Sequence, residues 1–334
     1  MDISKELNRD KRRLIVGIGS ALVDILVHED DEFLERSGAV KGGMVLVDNA
    51  FIERTLSQTS NKPYIVPGGS ACNTVIGVGN LGGQARFVGK RGEDDLGDIF
   101  EAELKKNNVE PRLFTSPSPT GRVLSIITPD AQRSMLTFLG AASEIDSDEI
   151  KDGCFEGAAI VHVEGYLIFN RNLILTALGV AKEEDALVSL DLASFTVVEE
   201  SKEFLDRMVS DFVDILIANE DEARAFTGHT DEIKALKALS EKADIAVLKV
   251  GERGSLISYS DKIVEVKSKE IRAAIDTTGA GDLWASGFLF GLVNGYPIEK
   301  CGELGSACGS EVCQVIGANI PEEGWKRIRN LINF

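Results

Sequence analysis

The segment Asp276-Thr277-Thr278-Gly279-Ala280-Gly281-Asp282 concentrates the chemistry of this chain. Three small residues at the head of an apolar helical run (Leu283, Trp284, Ser286, Gly287, Phe288, Leu289) let an anion approach the backbone. At a helix N-terminus the N–H groups of Gly279, Ala280 and Gly281 lack intrahelical partners, and the helix dipole adds positive potential. Asp282 closes this anion hole with an acid, where like charges repel. That cost points to a task other than stabilising the fold, namely taking a proton from an attacking hydroxyl. A base beside a nucleophile and donors facing a transferring charge are what phosphoryl transfer requires.

The elements around this stretch must bring it to a ligand. Short runs rich in Val, Ile and Leu predict strands at Leu14–Ile18, Ala85–Val88, Ala159–Val163, Ala186–Asp191, Asp214–Ala218 and Ile245–Val250, with a further strand-like run, Ile271–Ile275, leading into the motif. Apolar residues at three and four spacing predict helices over Ser70–Leu81, Leu96–Asn107, Arg171–Glu184, Glu220–Phe226, Glu232–Lys242 and Gly281–Asn294, with two more near 299–315 and 323–332. This alternation predicts an α/β fold of three layers, α/β/α, with a mostly parallel central sheet. Four runs break it: Ile25–His28, Met44–Val47, Arg122–Thr128 and Ser134–Leu139. They predict a small accessory β-sheet, a lid whose strands (roughly 25–48 and 120–140) are inserted into a single domain spanning 1–334.

Composition narrows the partners. The 36 basic and 54 acidic residues among 334 leave a formal charge of −18, a field that disfavours nucleic acid and anionic membrane surfaces. Five scattered Cys without a CxxC pair imply free thiols in a reducing compartment, so a cytoplasmic protein is expected. The polar N-terminus and the lack of a long apolar run argue against a signal peptide or membrane span. His28, His162 and His229 are isolated and make a zinc site an unsupported reading. Gly17-Ile18-Gly19 fails as a dinucleotide fingerprint because Leu22 takes the third glycine position. Gly83–Gly89 fails as a phosphate loop because Arg91 replaces the expected Ser or Thr.

The motif around Asp282 resembles the C-terminal signature of the ribokinase-like (PfkB) carbohydrate and nucleoside kinase family. The run Pro67-Gly68-Gly69-Ser70-Ala71-Cys72-Asn73-Thr74 resembles its N-terminal signature, and the resemblance extends over residues 13 to 325. It implies an ATP-dependent kinase with Asp282 as base and Gly279, Ala280 and Gly281 as anion hole. It further implies that Asp24 binds two sugar hydroxyls, chemistry suited to a carboxylate facing a vicinal diol, and that Gly68, Gly69 and Asn73 form the acceptor loop. Asn219 and Glu222 resemble an Asn-x-x-Glu motif that organises Mg2+ through water. Lys249, Gly251 and Gly254 resemble the nucleotide loop, and Arg133 a lid arginine of the adenosine-kinase branch. Asp276 and Thr278 match positions beside which much of the family holds a monovalent cation such as K+. Family members are monomers or lid-paired homodimers, and the sequence leaves both open.

The acceptor is a nucleoside or a sugar. Ser70 stands where ribokinase proper has Lys, and Leu22 where it has Asn. With Leu22, Leu46, Met135 and Phe138 the pocket reads as apolar enough for a purine, and the stretches 19–25 and 133–142 resemble the adenosine-kinase branch. An adenosine-kinase-like enzyme is therefore expected first, a ribokinase- or fructokinase-like enzyme second, and a non-catalytic nucleotide or sugar sensor third.

Overall fold

The computed structural model describes residues 12–41, 43–130, 132–151, 153–268 and 274–332. Its strands are β1 (Leu14–Ile18), β2 (Leu22–His28), β3 (Met44–Leu46), β4 (Tyr64–Gly68), β5 (Ala85–Gly92), β6 (Val109–Ser116), β7 (Gly121–Ile127), β8 (Arg133–Phe138), β9 (Ala158–Glu164), β10 (Leu187–Asp191), β11 (Ile215–Asn219), β12 (Ile245–Lys249), β13 (Ser255–Tyr259) and β14 (Lys262–Val266).

The larger sheet runs β14-β13-β12-β11-β10-β9-β1-β5-β6. Pairing is parallel from β12 through β6, and β13 and β14 add an antiparallel hairpin at one edge. Every residue of β9 and β10 is buried, which is why these strands read as continuous apolar runs rather than alternating ones. Helices Arg171–Glu183, Phe195–Phe212, Glu220–Thr227 and Glu232–Ser240 cover one face, with Leu173, Val209, Phe226 and Leu236 in its core. Helices Ser70–Asn80, Asp95–Lys106 and Ala280–Val293 cover the other, through Val75, Phe100 and Phe288. These are the three expected layers.

The smaller sheet runs β3-β8-β7-β2-β4. It contains the four predicted lid strands and one more, β4, so the lid draws on a segment outside the expected 25–48 and 120–140 windows. Strands β4 and β6 each contain a proline, Pro67 and Pro111, and both lie at a sheet edge, where the missing N–H costs least. The hairpin β13–β14 turns through Ser260 and Asp261, both at positive φ (49° and 60°), without the Asn-Gly signature that would announce it. Of the predicted strand Ile271–Ile275, residues 271–273 lie outside the described residues. Ala274 and Ile275 are not in a strand, and the Ile275 N–H donates to the Cys313 carbonyl at 2.8 Å.

All five cysteines are buried free thiols. No helix among the described residues is long and apolar enough to cross a membrane.

The helix Ala280–Val293 is buried from Leu283 onward and crosses Ile298–Val312 at close range. A Cβ on Gly287 would lie 2.5 Å from the Leu304 carbonyl oxygen. Backbone, not a movable side chain, opposes it. Gly287→Ala is therefore expected to lower unfolding free energy by about 1–3 kcal/mol. A urea midpoint equal to wild type would show that this crossing is not tight.

Candidate active site

The residues with chemical potential gather at the C-terminal ends of the parallel strands, where ligands of open α/β sheets bind. Glu164 ends β9, Asp191 ends β10, Asn219 ends β11 and Lys249 ends β12. The N-terminus of the helix Ala280–Val293 reaches this row, the Cβ position of Gly281 lying 2.9 Å from Lys249 Nζ. The loop before that helix is pinned by Asp276. Its Oδ1 accepts from the Thr278 N–H at 2.9 Å and the Thr278 hydroxyl at 2.7 Å, and its Oδ2 accepts from the Gly317 N–H at 2.8 Å. Burial opposes the charge on Asp276, yet these donors hold its carboxyl below the usual range. Gly279 adopts φ 71°, the left-handed region, and the Ala280 N–H closes a turn on the Thr277 carbonyl at 3.1 Å.

Asp282 follows in the first turn, half-buried. Its Oδ1 accepts from the Ser70 hydroxyl at 2.7 Å and its Oδ2 from the Asn73 amide at 2.9 Å. Thr74 donates to its backbone carbonyl at 3.1 Å. Burial pushes the carboxyl of Asp282 up, and the Asn73 and Ser70 bonds draw it partly back. Asn73, expected to face the acceptor, thus holds the Asp282 carboxylate, and Ser70 and Thr74 join it without having been singled out for that task. Gly68 and Gly69 serve close approach of the chain to its neighbours. A Cβ on Gly68 would lie 2.7 Å from the Asp24 carboxyl carbon, and Gly69, at φ 95°, would bring one within 2.4 Å of the Ser20 carbonyl.

Glu164 ties this loop to its neighbour. Its carboxylate accepts from the Ser20 N–H at 2.8 Å and the Ala71 N–H at 3.1 Å. Burial raises its carboxyl above the ordinary range, while those two amides oppose the rise.

Asp24, 7% exposed on β2, lies in the lid sheet with its carboxyl pushed up to about 6 by burial, against the pull of Arg133. Arg133, at the start of β8, reaches Asp24 at 3.4 Å, the Ser125 hydroxyl at 3.0 Å and the Thr278 hydroxyl at 2.5 Å. The small sheet is thereby joined to the loop before the helix Ala280–Val293. The guanidinium on Thr278, with both Asp276 oxygens already accepting protein donors, gives a set of side chains that does not fit a monovalent cation at Thr278.

Of the four apolar residues predicted to line the pocket, Leu22, Leu46 and Met135 share the face of Asp24. Asp24 pairs with Val123, Val123 with Thr137, and Thr137 with Leu46. Phe138 pairs with Arg122 and, by strand alternation, turns to the opposite face, where it packs on the core. Leu46 is 63% exposed and closes nothing off. Sequence reading missed the exposed Tyr166, which follows Glu164 at the end of β9. The Tyr166 phenol is pushed up to about 12, first by burial and then by the charges of Glu164, Asp282, Glu222 and Asp191, which places it beside the site.

On the far side, Asn219 and Glu222 form a reciprocal cap. The Asn219 side chain accepts from the Glu222 N–H at 2.9 Å, and Glu222 accepts from the Asn219 N–H at 2.8 Å and its amide at 2.7 Å. Lys249 does not follow the nucleotide loop outward. Its ammonium turns in to Asp191 at 2.7 Å. Gly251 and Gly254 form the hairpin turn at φ 56° and 107°, and a Cβ on Gly254 would meet the Val266 carbonyl at 2.0 Å. Beside this turn lies a cleft of about 540 Å³ lined by Val250, Arg253, Ser255, Leu256, Lys267 and Ser268 among others. Among the described residues no group of three or more His, Cys, Asp or Glu is arranged to hold a metal ion unaided.

Glu164 and Asp191 escaped sequence reading, although an apolar strand ending in an acid was a usable signal for both.

A family model described as "pfkB family carbohydrate kinase" matches residues 44–324. The structure resembles the adenosine kinase of Sinorhizobium meliloti, with a TM-score of 0.87 and 31% identity, over 96% of this chain and 99% of that one. It also resembles a probable sugar kinase of Rhizobium etli, with a TM-score of 0.86 and 34% identity over 96% and 99% of the two chains. In sequence, the 5-dehydro-2-deoxygluconokinase of Geobacillus thermodenitrificans is 30% identical over 279 residues, 78% of this chain and 82% of that protein.

Glu222 is 3% exposed and its carboxyl is raised to about 7, chiefly by burial and then by Asp191. A carboxyl whose folded value is raised stabilises the fold fully below its unfolded value, and that contribution is lost as pH rises through the folded value. Wild-type stability should therefore fall between about pH 4.5 and 7 more steeply than that of Glu222→Gln, measured by urea unfolding. Identical pH dependence in the two proteins would remove the buried charge as its source.

Proposed function

The chain belongs to the pfkB family of carbohydrate kinases, and from that premise we propose that it moves the γ-phosphoryl group of ATP to the hydroxymethyl group of a nucleoside, adenosine foremost. The family membership makes it a phosphotransferase with a sugar or nucleoside acceptor. The observation that carries the finer reading is the placement of two acids within electrostatic reach of each other, buried Asp24 on the small sheet and half-buried Asp282 on the helix, with the exposed Tyr166 in the field of Asp282. A ribosyl group offers a vicinal diol to one acid and a hydroxymethyl group to the other, and a purine offers a flat face to aromatic side chains. Leu22 and Ser70 supply fewer polar contacts than a free sugar would use. The names of the similar proteins divide between nucleoside and sugar, so free sugars belong in the acceptor panel.

In this reading the nucleotide lies along the Gly251–Gly254 turn and the adjoining cleft, with its phosphates directed at the helix N-terminus. The acceptor hydroxyl forms a bond to the γ-phosphorus as the bond from phosphorus to the ADP oxygen breaks. The hydroxyl proton passes to Asp282, which Ser70 and Asn73 hold in place. The amides of Gly279 and Gly281 face the charge on the transferring group, whereas the Ala280 N–H, expected to join them, is spent on the Thr277 carbonyl. Arg133 draws the lid against Thr278, which keeps water from competing as nucleophile. The buried carboxylate of Glu222 supplies hard oxygens that fit magnesium arriving with the nucleotide, through water, and the ion would neutralise phosphate charge.

Asp282→Asn should lose about 10²–10⁴ in kcat while still binding ADP by calorimetry. Near wild-type turnover would remove Asp282 as base. In a coupled assay over adenosine, other nucleosides, ribose and fructose, adenosine should give the highest kcat/KM, and a preference for a free sugar would overturn the nucleoside reading. Asp24 should bind the acceptor as a carboxylate. Its value of about 6 then makes acceptor affinity full above that pH and falling as pH drops through it, a trend absent from Asp24→Asn. A pH-independent wild-type KM would take Asp24 out of the acceptor site.

A further inference from the structure

We propose that Lys249 is a catalytic residue whose ammonium group touches the phosphoryl group in transit, and that Asp191 is the positioning residue that holds it there. The inference rests on the phosphotransferase reading and assigns a role within that centre.

Its basis is where the ammonium lies. Lys249 ends β12 and Asp191 ends β10, so the side chain reaches back across β11 to make a 2.7 Å ion pair, with the two side chains 14% and 6% exposed. On its other flank is the anion hole. The Cβ that Gly281 lacks would lie 2.9 Å from Lys249 Nζ, so the ammonium rests against the first turn of the helix Ala280–Val293. A nucleotide-loop lysine would extend outward beside Gly251. This one is directed to the position where charge develops during transfer.

Charge balance supports the same role. Asp24, Asp191, Glu222 and Asp282 crowd the site, and a triphosphate adds further negative charge. Arg133 is committed to the lid, on Asp24, Ser125 and Thr278. A buried ion pair contributes little net stability compared with apolar residues of similar volume, so fold stability alone is a weak reason for Lys249 and Asp191 to be here. An ammonium has three donors. One can stay on Asp191 while another meets a phosphoryl oxygen beside Gly281, where a fixed donor stabilises developing charge.

The ionisation of Lys249 is set by groups from several elements. Burial works against the charge, but Asp191 on β10, Glu222 on the helix Glu220–Thr227 and Asp282 on the helix Ala280–Val293 more than offset it, and the amine is raised above its ordinary value. Neutral His162, lowered to about 4 by burial, lies within the same field from β9.

Three variants test the proposal, each checked for wild-type melting behaviour. Lys249→Met should lower kcat by about 10²–10³, with the ADP dissociation constant within about threefold of wild type by calorimetry. Gly281→Ala places a methyl group where the ammonium rests and displaces the end of a flexible side chain, so it should lower kcat about tenfold or more with the fold intact. Asp191→Asn removes the counter-charge and should add a fall in kcat on the alkaline side that wild type lacks. The proposal is overturned if Lys249→Met keeps wild-type kcat, or loses ADP affinity by the same factor as kcat. An unchanged kcat in Gly281→Ala, or an unchanged pH profile in Asp191→Asn, also counts against it. A wild-type protein that phosphorylates no acceptor would instead overturn the kinase reading itself.

Discussion

The site depends on keeping several carboxylates out of water at one end of a sheet without letting them repel the chain apart. Asp24, Glu164, Asp191 and Glu222 are buried, and Asp282 stands beside them. Each is held by donors of a particular kind. Backbone amides hold Glu164, an ammonium holds Asp191, a reciprocal cap holds Glu222, a guanidinium holds Asp24, and a hydroxyl with an amide holds Asp282. Desolvation raises the carboxyls of Asp24, Glu164, Glu222 and Asp282 despite these partners. Such a site is well suited to accept positive charge and protons, and it is costly unless ligands complete it.

The fold explains how distant residues reach this arrangement. Parallel strands deliver their C-terminal residues to one edge, and the close crossing of Ala280–Val293 with its neighbour fixes the helix that faces them. The small sheet is not a separate device laid beside the larger one. Through Arg133 it shares a hydrogen-bond chain with Thr278, Asp276 and Gly317, so the position of that sheet and the shape of the loop before Ala280–Val293 are linked.

Much of this was legible in the residues. The doubly covered strands announced themselves as apolar runs, and the Gly-Ala-Gly-Asp helix entry carried its chemistry in its own spacing. What sequence hid was contact across long separations. Asn73 lies 209 residues from Asp282, and only the fold shows that its amide is spent on that acid. Lys249 sits beside a glycine turn in the chain but folds away from it toward Asp191, because the buried carboxylate offers the stronger partner. Phe138 reads as pocket lining until the alternation of β8 turns it to the other face. Strands β4 and β6 carry prolines that only their edge positions make tolerable.

The central claim is that the carboxylate of Asp282 meets the acceptor oxygen in front of the helix N-terminus. A crystal structure with adenosine and a non-hydrolysable ATP analogue tests it most directly. The account predicts an Asp282 oxygen about 2.6–3.2 Å from the acceptor hydroxymethyl oxygen, with the terminal phosphate against the amides of Gly279 and Gly281. Phosphates lodged away from that helix, or an Asp282 side chain turned from the acceptor, would contradict it.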